Sequence, residues 1–141
     1  MPNSMQGAEQ TAANSKAGLW AGRAISSILV LFLVFDGTMK VIKEAHVMAA
    51  NAEIGYPPNS IPWIGALLLV CTVVYVIPRL SILGAILLTA YLGGAVATQV
   101  RVAHPVFDCL FPVVFGMLIW AGIFLRDAQL RQMIPVRRSR P

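Results

Sequence analysis

Charge is what this chain has least of. Of its 141 residues only 12% are charged, and six are acidic. A soluble domain carries about a quarter charged residues. With 57% hydrophobic residues and a mean hydropathy of +0.73, the composition excludes an ordinary water-solvated domain and requires lipid as solvent. Cysteine is nearly absent as well. Cys71 and Cys109 are far apart and form no C-x-x-C, so no disulfide framework is indicated. Neither histidine, His46 nor His104, falls inside an apolar segment, so a haem within the helices has no axial ligand. The missing H-x-x-x-H and E-x-x-H spacings argue against a metal site. No glycine-rich phosphate loop and no G-x-S-x-G occurs, which leaves nucleotide and hydrolase chemistry without support. Net charge is +5 and the pI about 9.8. Without finger spacing or an aromatic-rich basic sheet, this does not indicate nucleic acid.

What is present is a set of four apolar segments. They run over about 19–42, 61–77, 80–100 and 109–125, and predict an all-α fold: an integral membrane four-helix bundle in a single domain over 18–126. Ser60 and Pro62 open the second segment, and Pro78-Arg79 turns it tightly into the third. Asp108 is the expected cap of the fourth, with Pro112 in its first turn. The Ala-rich stretch KEAHVMAANAE after the first segment suits a short helix ended by Gly55 and the rigid Tyr56-Pro57-Pro58. Residues 1–17 are small and polar and are expected to be disordered; 127–141 reads as a basic tail. Asp36-Gly37-Thr38 follows the first apolar run with no A-x-A site close by, which favours a retained first helix over a cleaved leader.

Orientation follows from Lys and Arg. With the N-terminus inside, Lys16, Arg23, Arg79, Arg126, Arg131, Arg137, Arg138 and Arg140 are cytoplasmic. Lys40, Lys43 and Arg101 are outside. Eight against three places both termini in the cytoplasm. Trp20, Trp63 and Trp120 lie near segment ends, as an aromatic belt requires.

Polar chemistry then gathers at the extracytoplasmic end. Asp36 sits in an otherwise apolar run with Lys40 at i+4, on the same helix face. A carboxylate at this depth is costly, needs a partner and marks a functional site by default. Lys40 or Arg101 is the expected partner. Tyr91 and Gln99, on one stripe of the third segment, are expected beside it. The adjacent stripe Ala90, Gly94, Thr98, broadened by Gly93 and Ala97, reads as a helix-packing seam. Cys71 reads as an apolar filler.

The stretches FDGTMKVIK, IGYPP, LLLVCTVVYVIPR, LGAILLTAYLGGAVATQVR and WAGIFLRD, in this order, resemble the DoxX-like family of small bacterial membrane proteins. The likeness covers about residues 19–131 and is most specific from Pro78 to Arg101. It implies four transmembrane helices in a bacterial inner membrane. It also implies links to quinone or thiol stress and to membrane oxidoreductase complexes. In relatives a histidine often stands where this chain has Gln99, which keeps hydrogen bonding but does not titrate near neutral pH. Residues and resemblance together lead to one expectation: a lipophilic ligand, with a quinone as the implied cofactor, bound at the bundle mouth by Asp36, Lys40, Tyr91, Gln99 and Arg101. An oxidoreductase subunit is the implied partner. The rival expectation is a non-catalytic scaffold in which the cluster only fixes helix packing. A proton-coupled carrier is disfavoured by the scarcity of charge within the membrane and the lack of an internal repeat.

Overall fold

The computed structural model describes residues 2–133, which are helical wherever they are regular. The helices are α1 (Pro2–Val41), α2 (Ala45–Glu53), α3 (Ile61–Val76), α4 (Ser81–Arg101), α5 (Val106–Arg126) and α6 (Ala128–Met133). Three of them, α1, α4 and α5, are long and apolar enough to cross a membrane; α3, at 16 residues, is apolar but shorter.

Two boundaries differ from the expectations. Residues 2–17 are not disordered but continue α1. Ala, Met, Gln and Glu favour helix, and a helix already nucleated by its apolar half extends at little cost. On α5 the cap is Pro105, not Asp108. The fixed φ of proline suits a helix entrance, and the Asp108 amide donates back to the Pro105 carbonyl at 2.9 Å. Pro112 is therefore buried inside the helix and cannot donate to the Asp108 carbonyl one turn earlier. Of the expected basic tail, 128–133 form α6, whose cap is the Asp127 carboxylate, accepting from the Gln129 amide at 2.8 Å. Arg137, Arg138 and Arg140 lie outside the described residues.

The four longer helices close a ring: α1 packs on α3 and α5, and α4 packs on the same two. The shared core comprises Leu29 and Leu33, Leu68 and Tyr75, Leu88 and Leu92, Ile119 and Ile123. Most remaining large apolar side chains, such as Ile28, Leu31, Phe35, Val70, Val73 and Ile86, point outward. An apolar exterior of this extent is what a hydrocarbon solvent requires.

The backbones cross at glycines. A Cβ on Gly65 would lie 2.6 Å from the Lys40 Cβ and 2.7 Å from the Gly37 carbonyl, so α1 and α3 meet there. A Cβ on Gly122 would lie 2.5 Å from the Ser26 Oγ, where α1 meets α5. The expected seam on α4 is not one, because a Cβ on Gly93 or Gly94 would meet nothing within 4 Å.

Three helices end alike. Past α1, α2 and α4 the chain turns through a residue of positive φ: Lys43 (57°), Gly55 (86°) and Ala103 (53°). Each turn returns an amide to the carbonyl five residues back: Glu44 to Met39, Tyr56 to Asn51 and His104 to Gln99. This bond pattern satisfies the carbonyls that a helix end leaves free.

Candidate functional site: a cavity under α2

A cavity of about 590 Å³ opens between α1, α3, α4 and α5, with α2 across it. Each wall is one face of a helix. Asp36 and Lys40 come from α1, one turn apart. From α4 come Tyr91, Gly94, Ala95 and Thr98, and from α5 Asp108, Phe111, Pro112 and Phe115. Both four-residue sets have i, i+3, i+4, i+7 spacing, the signature of a single helix face. The small residues expected to pack α4 instead keep it back from the cavity. Ala90, Gly94 and Thr98 all line the space, and their missing volume is part of what makes it.

One side is aromatic. Phe32 of α1 lies over Phe115 at 4.7 Å between ring centroids, and Phe111 over Phe115 at 4.6 Å. Tilted rings at this spacing attract one another beyond simple burial, so the wall is a preformed apolar platform. The other sides are polar. The Lys40 ammonium donates to the Asp36 carboxylate, with side-chain exposures of 12% and 32% respectively. Gln99 lines the cavity, and its Oε1 is buried with no hydrogen-bond partner among the described residues. An unpaired buried acceptor costs about 1–3 kcal/mol. The Asp108 carboxylate meets His104 Nδ1 at 3.0 Å, so this wall continues outward to an imidazole.

Four of the five expected site residues, Asp36, Lys40, Tyr91 and Gln99, line this one cavity. Arg101 does not. It makes no ion pair with Asp36, and its Nη2 donates instead to the Ile54 carbonyl at 3.1 Å. Asp36 is already served by Lys40 on its own helix, whereas the Ile54 carbonyl ends α2 and needs a donor. Residues not anticipated also contribute: the three phenylalanines, Asn51 of α2, and Tyr56, whose hydroxyl bonds Thr98 Oγ1 at 2.9 Å. Phe111 and Phe115 carry a legible signal in their i, i+4 spacing; Tyr56 carries none. Both cysteines are free, Cys71 in the core and Cys109 at the start of α5. Among the described residues no group of three or more metal-ligating side chains converges.

The arrangement can hold a flat, largely apolar molecule by ring contact, and orient it by hydrogen bonds from the ammonium and phenol and to the carboxamide oxygen. No curated protein and no solved structure matches the chain. The sequence pattern of the DoxX-like family, however, matches residues 24–122. That span takes in α2, α3, α4, the C-terminal part of α1 from residue 24 and all but the last turn of α5, and with them every helix wall of the cavity. The chain is a member of the DoxX-like family, a membrane protein built on apolar helices.

Proposed function

We propose that this protein binds a lipophilic molecule of the quinone type in the cavity, as the membrane subunit of a redox-linked complex. In this reading α1, α3, α4 and α5 form a four-span bundle in a bacterial inner membrane, with both termini cytoplasmic and α2 on the outer side. The observation that carries the reading is the composition of one cavity: an aromatic platform facing an ion pair, a phenol and an unsatisfied carboxamide. A ring would lie against Phe111 and Phe115. Its carbonyl oxygens would accept from Tyr91 or Lys40, and in the reduced, quinol form a hydroxyl would donate to Gln99 Oε1. Asp36 holds the Lys40 side chain in place.

The scaffold reading draws less support. A cluster that locks helices together must bond between helices, and the Asp36–Lys40 pair lies within α1. Locking bonds occur elsewhere. Tyr75 of α3 meets the Ser26 Oγ of α1 at 3.1 Å and donates to the Ile119 carbonyl of α5 at 3.2 Å.

The test is mass spectrometry of the lipophilic molecules that co-purify with gently extracted protein, wild type beside Asp36→Asn. One quinone or isoprenoid retained per chain by wild type and lost by the variant is the expected result. Equal retention by both, with the variant folded, overturns the role given to Asp36.

A further inference from the structure

We propose that α2 is a hinged lid over the cavity and that Arg101 is its latch. The inference rests on the cavity's being a binding site, and its test needs no ligand. Val47, Ala50, Asn51 and Ile54 all line the space. These positions are i, i+3, i+4 and i+7, so α2 turns one face toward the cavity. Among the described residues burial ties α2 down no further: none of its residues is buried, and the helix it chiefly contacts is α1.

The helix is self-contained. Glu44 caps its start, accepting from the Val47 amide at 3.0 Å. The Gly55 and Tyr56 amides close its end on the Ala52 and Asn51 carbonyls, each at 3.0 Å. Inside, the Asn51 side-chain amide donates to the Val47 carbonyl at 2.8 Å. Every bond that shapes α2 thus travels with it. At either end the chain passes through a left-handed residue, Lys43 or Gly55. Short terminal turns of this kind are where hinge rotation is absorbed.

Two hydrogen bonds hold the lid to α4. Arg101 Nη2 donates to the Ile54 carbonyl at 3.1 Å, and the Tyr56 hydroxyl meets Thr98 Oγ1 at 2.9 Å. Both act at the C-terminal end of α2, opposite the Lys43 hinge. Opening therefore breaks two exposed or half-exposed bonds and no buried packing, which puts α2 at the low end of local stability. Arg101 acts through the lid; it is a positioning residue, outside the cavity lining.

The experiment uses full-length protein in lipid nanodiscs without ligand. Backbone hydrogen exchange of 45–53 is followed in wild type, Arg101→Ala and Arg101→Lys. In parallel, maleimide labelling is timed at Ala95→Cys, a cavity position, in a background with Cys71→Ala and Cys109→Ala. Loss of one latch is expected to speed both readouts about fivefold, with α3 to α5 unchanged and Arg101→Lys close to wild type. Faster exchange with unchanged labelling overturns the lid, since α2 would loosen without gating the cavity. No change in either readout overturns it as well. If Arg101→Ala also loosens α3 to α5, Tyr56→Phe, which removes one hydroxyl, decides by the same two readouts. Because no ligand is used, a failure here is separate from a failure of the retention assay.

Discussion

The Asp36–Lys40 pair separates binding from packing because its two charges can be removed singly or together. Lys40→Met leaves a carboxylate unpaired at the cavity wall. It is expected to lower stability by about 1–3 kcal/mol, the pair being only partly buried. Adding Asp36→Asn should recover most of that loss, as read from thermal melting in nanodiscs. Under the proposed function ligand retention stays lost in the double variant. A double variant that regains both stability and retention would favour the scaffold. The site residues legible in the sequence were those whose polarity was out of place. Asp36, Tyr91 and Gln99 interrupt apolar runs, and such residues face the protein interior. For the phenylalanines the i, i+4 spacing of Phe111 and Phe115 marks a shared helix face, but it does not tell a face lining a cavity from one facing lipid. Arg101 was misplaced because the carbonyl it serves belongs to the end of another helix, and no spacing rule connects the two.

At the scale of elements, glycine gives the sharpest contrast. Gly65→Ala forces a methyl into the α1 backbone crossing, 2.7 Å from the Gly37 carbonyl, and should cost about 1–3 kcal/mol through overpacking. Gly93→Ala meets no neighbour and should be neutral, or stabilising by up to about 1 kcal/mol through helix propensity. Melting temperatures of the two variants in the same lipid check both signs; equal shifts would show that the crossing yields. The sequence offered Gly93 and Gly94 as the packing seam because small residues at fourfold spacing are what a seam looks like. It concealed the real crossings, which pair single glycines from helices far apart in the chain. Helix positions were legible because apolar length and proline punctuation set them. The start of α5 shifted because Pro105, three residues before Asp108, had already fixed the entrance.

For the whole molecule, the two native cysteines report the proposed topology. Cys109 is half-buried at the cavity end of α5, whereas Cys71 is buried between helices. With the cavity end outward, a membrane-impermeant maleimide applied to intact cells should label Cys109, leave Cys71 unlabelled, and lose its signal in Cys109→Ala. Labelling of Cys109 only after the membrane is broken would invert the orientation. At the far end of the ring, Ser26, Tyr75 and the Ile119 carbonyl join α1, α3 and α5 through one phenol. The helices are thus bonded together away from the cavity and left free to stand apart around it. The brevity of α3 bears on the surrounding bilayer. Its 16 residues rise ~24 Å, against a hydrocarbon thickness of ~30 Å. In the proposed four-span bundle α3 is a span several ångströms short, which is met by local thinning of the bilayer around it. In that arrangement the lipid headgroups around α3 would be drawn inward toward the level of α2, so that a molecule dissolved in the membrane and one arriving from water would approach the cavity at nearly the same depth.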